Sequence, residues 1–353
     1  MNPLVSLIIL NYNGEKFLIE VLNSLLNSSY KEIEIIIVDN HSSDTSINII
    51  KKQFPQVTLI ENKENLGFAE GNNVGIRAAN GKYICLVNND LKVDPGWLEP
   101  MIDFLEQAPE YAAVQPKVLS WQQPDHFEYA GASGGYIDKY GIPFMRGRIM
   151  DAVEADHQQY NDPVEIFWAS GAAICFRKQV VEEVGTLDKD FFLHQEEIDF
   201  CWRLLLKGYK LAVIPRSIVY HYGGASLNYE SPVKLYLNYR NNLTMLLKNM
   251  STRQLLQIIP FRLVIDAGAI ALKLLHFQWA HMASIIKGYL FVISNWKTIQ
   301  KKRKQINQFR QENTDFSHLV HQKSIVVNHF LHRKSKFSDL SFSPRSVRLP
   351  SKT

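Results

Sequence analysis

Three carboxylates fall within four residues at Glu196, Glu197 and Asp199, and they open a segment in which Ile198, Cys201, Trp202 and Leu205 share one helical face. Acidic side chains in a first helical turn complement the helix dipole. Three so close together also repel one another, which capping alone does not require. A second concentration lies in "YICLVNNDLKVD" (83–94), where an apolar run gives way to Asn88, Asn89 and Asp90. Asn and Asp suit turns and caps, but an Asp closing a buried strand also delivers a carboxylate to whatever binds there. A third candidate is His221, which ends the strand-like "SIVYHYGGAS" (217–226) before a Gly-Gly turn.

These residues need a frame that brings them together, and the first 120 residues supply one. "LVSLIIL" (4–10), "IEIIIVDN" (33–40), "VTLIEN" (57–62) and "YICLVNND" (83–90) are continuous apolar runs, each joined to the next by a helical pattern. Runs apolar on both faces and alternating with helices predict a parallel sheet covered on both sides. Right-handed crossovers follow, and ligands bind such sheets outside the carboxyl ends of the strands. Those ends read "LNYNG", "VDNHSSD", "ENKENLGFAEGNN" and "NNDLKVD", all polar and rich in Asn, Asp and Gly. The chain has neither GxGxxG after its first strand nor GxxxxGK[ST], so a dinucleotide fingerprint and a P-loop are both missing. Residues 121–165 are less regular, and order returns at "VEIFWASGAAICFRK" (164–178).

The chain has 353 residues, 46% of them hydrophobic, enough for one large domain with an appendage or for two domains. Its three scattered cysteines suggest neither a disulfide framework nor a zinc site, and point to a reducing compartment. The N-terminal apolar stretch stops at Asn11, too short for a signal peptide. Residues 297–353 carry 13 Lys/Arg against 3 Asp/Glu, a net +10 within an overall +4, which leaves −6 for residues 1–296. A basic tail on a slightly acidic body suggests an anionic partner such as a phospholipid surface or nucleic acid.

Taken in order, "VSLIILNYNG", "IIIVDNHSSD", "ENLGFAEGNNVGI", "YICLVNNDLKVDPGWL", "GAAICFRK", "VGTLDKDFFLHQEEIDFCWRLLLKGYKL", "VYHYGGAS" and "YLNYRNNLTMLLKN" resemble the inverting family 2 glycosyltransferases of the GT-A fold, rhamnosyltransferase-like bacterial branch. The resemblance implies an α/β fold, a Rossmann-like and mostly parallel sheet with helices on both faces, over residues 1–248. It implies that Asp39 contacts the nucleotide, that Leu10, Asn11 and Asn13 line the same pocket, and that Asn65, Gly67 and Asn72 lie near the diphosphate or sugar. Asn88 and Asn89 are implied at the bound nucleotide, Asp90 beside them takes the position of the metal-binding carboxylate, and His221 that of a histidine completing the shell of Mg²⁺ or Mn²⁺. Glu196 and Glu197 match the family's "ED" pair, whose second member is the general base, with Asp199 close by; Trp168, Gly171 and Arg240 are implied near the acceptor. Two positions depart from the family: Asn88 stands where Asp is frequent, and Glu197 replaces the usual Asp. The activity implied is sugar transfer from dTDP-rhamnose or a UDP-sugar to a lipid-linked or surface glycan. A nucleotidyltransferase of related fold would need an early Gly-rich basic loop, which "NYNGEKF" does not supply, and a scaffold would have no need of the base and metal carboxylates.

Residues 249–310 form an apolar region in which no charge-free run reaches the ~18 residues of a spanning helix. On a helix turning about 100° per residue, Arg262, Asp266, Lys273 and Lys287 fall within about 60° of one another. A narrow polar stripe of this kind suits a protein lying in a bilayer interface; the competing expectation is core packing. "KTIQKKRKQINQFR" adds a polybasic segment worth about 1 kcal/mol per charge at an anionic surface. Nucleic-acid binding would want aromatics interleaved with those charges, and they are missing. The expected location is the cytoplasmic face of the cell membrane. Residues 311–353, rich in Ser, Pro and basic residues, are expected to be disordered.

Overall fold

The computed structural model describes residues 2–223, 231–312 and 314–348. In chain order its strands are β1 (Val5–Asn11), β2 (Ile33–Asp39), β3 (Thr58–Glu61), β4 (Tyr83–Asn88), β5 (Leu91–Val93), β6 (Tyr111–Ser120), β7 (Gly135–Asp138), β8 (Pro143–Met145), β9 (Arg148–Ile149), β10 (Ala152–Val153), β11 (Val164–Glu165), β12 (Ala173–Arg177), β13 (Lys210–His221) and β14 (Val320–His321). Its α-helices are α1 (Glu15–Leu26), α2 (Ser46–Gln53), α3 (Gly67–Ala78), α4 (Glu99–Gln107), α5 (Val180–Val184), α6 (Glu196–Leu206), α7 (Pro232–Asn249), α8 (Thr252–Leu275), α9 (Trp279–Ser294), α10 (Trp296–Phe309) and α11 (Ile325–Phe330).

A nine-stranded sheet runs in the order β11-β13-β6-β12-β4-β1-β2-β3, with β5 paired to β13. Strands β3, β2, β1 and β4 are parallel, β6 and β13 pair in parallel, and β12 runs against both β4 and β6. β11 and β5 also run against β13, so the sheet is mixed: six strands, β1 to β4, β6 and β13, point one way and β5, β11 and β12 the other. The block β3-β2-β1-β4 is parallel, as its unbroken apolar runs predict. Within β1, Leu7 and Ile9 join a core with α1 and α4, whereas Ile8 joins the opposite core with α3 and α6. Burial on both faces is why these strands do not alternate. Helix α3 lies unusually close to β1: a Cβ on Gly71 or Gly75 would come within 2.4 Å of Leu10 or Ile8.

The irregular segment after β6 folds into a second sheet, β10-β9-β8-β7-β14, whose edge strand comes from the C-terminal tail. The expectation of a disordered tail therefore fails for residues 314–348. Phe337, Leu340 and Val347 are buried, and Phe337 and Phe342 pack around Tyr136 and Phe144. Average composition hid these few apolar anchors. Gly224, Ala225 and Ser226 of the expected strand end, and residues 349–353 of the tail, lie outside the described residues.

After the sheet, α7 packs on α6 and carries α9 and α10, with α8 against α9. Among the described residues one 24-residue helix, α8, is long and apolar enough to cross a membrane by length and composition. Two of its charges face the protein: Arg262 and Asp266 are 4% and 3% exposed and paired at 2.8 Å. The polar stripe read from the sequence is thus divided: Arg262 and Asp266 point inward, while Lys273 is half-exposed and Lys287, on α9, is exposed.

Candidate active site

The carboxyl ends of β1, β2 and β4 converge as the topology requires. Asn11 and Asp39 are register partners across β1 and β2. The Asn11 amide donates to Asp39 Oδ1 (2.8 Å) and Ser46 Oγ (2.9 Å) and accepts from Asn89 Nδ2 at 3.2 Å. Asp39 also accepts from the Ser42 backbone N–H at 2.9 Å, so this carboxylate sits in a preformed turn. Asn13 has φ 51° and accepts from Ser43 N at 2.8 Å. Asn40, missed in the sequence, ties β2 to the following loop through Asn65 Oδ1 (2.8 Å) and Leu66 N (3.0 Å).

Around the end of β4, Asp90 is buried and its Oδ1 lies 3.0 Å from His221 Nε2, with Asn88 Nδ2 3.1 Å from the same nitrogen. On the other side of the ring, Glu128 Oε2 stands 3.2 Å from Nδ1, at ion-pair range but without good hydrogen-bond alignment. Burial works against charge on all these groups. At His221 the two carboxylates outweigh it and raise the ring's pKa well above the ordinary value; at Asp90 the His221 charge and hydrogen bond outweigh it and lower the carboxyl's. Asp90 Oδ1 and His221 Nε2 bond to each other; with the ring neutral the same two atoms could turn to one divalent cation, and Glu128 at the far nitrogen would be its outer-sphere partner. Among the described residues no three His, Cys, Asp or Glu side chains are grouped to hold a cation by themselves. These two side chains could supply only part of a cation's shell. Glu128 lies in the irregular segment, where no periodicity could have singled it out.

Helix α6 begins after a loop with positive φ at Phe192 (62°), His194 (74°) and Gln195 (69°), three non-glycine residues in sparsely populated backbone regions. Helix α7 holds this loop. The Asn241 amide donates to the carbonyls of Phe191 (3.0 Å), Leu193 (2.8 Å) and His194 (2.7 Å), and Asn242 donates to Gln195 Oε1 at 3.0 Å. Arg240 donates to the carbonyls of Asp190 and Phe191. Arg240, expected near the acceptor, is thus a buried clasp on the loop.

The three carboxylates of α6 have different environments. Asp199 is fully buried, pairing with Arg203 and Lys248 at 3.0 Å each and accepting from Asn249 at 2.8 Å. Its charge is consumed in a structural cluster, so the expected catalytic group narrows to Glu196 and Glu197. Both keep a buried Oε2 without a hydrogen-bond partner, as does His194 at Nε2. Burial pushes the Glu197 carboxyl up to about 7. Burial and then the neighbouring Glu197 charge raise Glu196 well above the usual range. Two carboxyls so placed titrate as a coupled pair, both above the usual carboxylate range. Gly171 leaves room beside them, since an added Cβ would stand 3.5 Å from Cβ of Glu197. The next residue, Ala172, accepts from Asn88 N at 3.0 Å, which links this site to the end of β4.

Other expected residues are occupied elsewhere. Gly67 has φ 76°, and a Cβ there would meet Phe192 at 2.4 Å; the N–H groups of Phe68 and Ala69 already donate to the Phe192 carbonyl at 2.6 and 3.3 Å. Asn72 is buried and bonds back to Phe68 O at 2.9 Å. The Trp168 indole is buried, donating to Tyr136 O at 2.9 Å, and belongs to the core. Apart from the Asn72 bond, which spans one helical turn, these contacts join segments far apart in sequence, which no motif spacing reveals.

Residues 6–185 match the family described as glycosyl transferase family 2. The low-salt glycan biosynthesis hexosyltransferase Agl10 of Haloferax volcanii is 24% identical over 243 residues, 67% of this chain and 73% of that protein. The N-acetylglucosaminyl-diphospho-decaprenol L-rhamnosyltransferase of Mycobacterium tuberculosis is 23% identical over 242 residues, 63% and 77% of the two chains. A glycosyltransferase of Haemophilus influenzae is 33% identical over 115 residues, 32% of this chain, and the matched part spans only 36% of that relative. Among solved structures, GalNAc-T7 with UDP, GalNAc and Mn²⁺ superposes with TM-score 0.55 at 16% identity, covering 69% of this chain and 47% of that one. S. aureus TarS 1–349 with UDP gives 0.52 at 15%, covering 89% and 94%. At these identities the structural likeness establishes the GT-A fold alone.

Proposed function

Because the chain belongs to glycosyl transferase family 2, we propose that it moves a sugar with inversion from a nucleotide-sugar donor, dTDP-rhamnose or a UDP-sugar, to a lipid-linked or surface-glycan acceptor. It works at the cytoplasmic face of the cell membrane with a divalent ion, Mg²⁺ or Mn²⁺. The observation that carries the reading is Glu197, a carboxyl raised to about 7 with an unpartnered buried Oε2, beside Gly171, whose missing side chain leaves a gap that a Cβ would fill in contact with Phe68 and Glu197. A group with that pKa is half ionised at neutral pH and accepts a proton efficiently. The name of the mycobacterial relative, which joins rhamnosyl transfer to a lipid-linked acceptor, supports the choice of substrates.

In the mechanism, Asp39 and Asn11 receive the nucleotide, Asn11 holding the Asp39 carboxylate in place. Asp90 and His221 would hold the ion, and the imidazole ligand favours Mn²⁺ over Mg²⁺. When bound, the ion neutralises charge on the departing nucleoside diphosphate. Glu197 takes the proton from the acceptor hydroxyl as that oxygen attacks the anomeric carbon opposite the leaving group, giving inversion in one displacement. Burial and then the Glu197 charge raise the Glu196 carboxyl, which disfavours a second negative charge beside the attacking oxygen.

The test is Glu197→Gln. Nucleoside diphosphate release from a donor panel should fall to background, while donor with Mn²⁺ still raises the melting temperature, because a ligand that binds the folded state stabilises it. Near-normal transfer by this variant removes Glu197 as the base. Undiminished turnover in EDTA removes Asp90 and His221 from their roles.

A further inference from the structure

Helix α8 carries much of its polarity on the inside. On α8 the inward stripe is Ile258, Arg262 and Asp266. Asp266 accepts from Arg262 Nε at 2.8 Å and Tyr289 OH at 2.6 Å, and Arg262 donates to Asn242 Oδ1 at 2.6 Å. Asn242 in turn donates to Gln195, the residue that begins α6. The polar network thus fastens the hairpin α8–α9 to the loop carrying the candidate base. Facing outward are Leu256 (74% exposed), Val264, Leu275 and, at the hairpin turn, Phe277 (77% exposed), with Leu290 and Ile293 continuing the surface on α9. From Pro260 to Leu275 the one charge that reaches solvent is the half-exposed Lys273, which donates to Gln278 Oε1 at 2.8 Å, and on α9 Lys287 is exposed among the apolar positions. Both are long side chains whose charged ends can reach the headgroups. A soluble monomer rarely leaves a contiguous apolar surface of this size to water.

The rim says what covers it. Trp279 and Trp296 are exposed at the N-terminal ends of α9 and α10, amphipathic rings of the kind that settle at headgroup level. The polybasic segment is smaller than its sequence suggests. Lys302 is paired with Asp188 and Asp190, Arg303 donates to Leu247 O, and Arg310 to Asn249 O. Lys297, Lys301 and Lys304 stay exposed on α10, and among the described residues none of them is in an ion pair. A second copy seated on this face would bring like-charged rims together, whereas anionic headgroups complement them.

We propose that the outward face of the α8–α9 hairpin is a monotopic membrane-insertion surface, its Leu, Val and Phe side chains entering the acyl boundary of a phospholipid bilayer while Lys297, Lys301 and Lys304 meet the headgroups. This rests on the membrane-face part of the proposed function and sharpens it. Hydrocarbon contact is the main attachment and basic charge the lesser one, and the acceptor is an amphiphile held in the same bilayer.

The experiment is flotation of the full chain with phosphatidylcholine vesicles and with mixed phosphatidylcholine–phosphatidylglycerol vesicles. The wild type should float with both, more completely with the anionic mixture. Val264→Glu/Leu275→Glu should lower the bound fraction about tenfold or more on both compositions. Lys297→Gln/Lys301→Gln/Lys304→Gln should remove only the anionic enhancement. Circular dichroism and donor binding certify that each variant is folded. Flotation of the Glu double variant at the wild-type level overturns the proposal. So does a wild type that fails to float and is a dimer by light scattering, which the double variant makes monomeric; the second copy is then the occupant. Flotation does not read turnover, so loss of activity in Glu197→Gln and loss of binding in Val264→Glu/Leu275→Glu fail or succeed separately.

Discussion

Asn241→Ala tests whether α7 positions the candidate base. One amide nitrogen has two hydrogens, and here three carbonyls share them, so the contacts amount to about two full hydrogen bonds. At about 1–1.5 kcal/mol each, their loss removes about 2–3 kcal/mol. The loop they restrain contains Phe192, His194 and Gln195 at positive φ, each storing strain of order 1–3 kcal/mol. Restraint and strain are comparable, so removing Asn241 should let the loop relax and carry Glu197 away from its position. If that whole loss falls on the transition state, kcat drops about 30- to 150-fold, at about 1.4 kcal/mol per tenfold. Donor affinity, set at the ends of β1, β2 and β4, should change less than about twofold. The assay is single-turnover transfer with saturating donor and Mn²⁺, alongside donor titration by calorimetry and the thermal midpoint. A variant whose midpoint falls while kcat stays within about twofold of wild type would refute the positioning argument, leaving Asn241 a purely structural residue.

Two further outcomes follow from the site. With its carboxyl raised to about 7 by burial, Glu197 should make kcat fall as pH drops through about 7 and level off above it. The stability term has the opposite sign: the native state binds the proton more tightly than the unfolded chain, so this residue's contribution to stability declines as pH rises from the ordinary carboxylate range to about 7. Glu197→Gln should therefore flatten both the activity profile and that part of the stability profile, read by kinetics and by urea titration. Glu128→Gln, which removes the charge facing His221 Nδ1, should weaken Mn²⁺ affinity in the presence of UDP about tenfold or more. Electron paramagnetic resonance of free Mn²⁺ measures this directly, and unchanged affinity excludes Glu128 as an outer-sphere partner.

The sequence by itself determined the sheet and the edge on which the site lies. Runs apolar on both faces admit little besides a covered parallel sheet, and the strand ends of such a sheet converge by topology, so Asn11, Asp39 and Asp90 could be located before any coordinates. Tertiary structure decided which side chains at that edge are free. Asp199 and Glu197 look alike in the sequence; Arg203 one turn on, with Lys248 and Asn249 arriving from α7, neutralises one, while Oε2 of the other stays unpartnered. Glu128 and Asn241 reach the site from an irregular segment and a later helix, contacts that carry no local signal. The hairpin gives the plainest case. Periodicity along α8 shows that Arg262 and Asp266 share a stripe, but a helical period fixes an angle between residues and not which side meets the protein. Asn242 and Tyr289, by satisfying those charges, turned the stripe inward and left the apolar face outside.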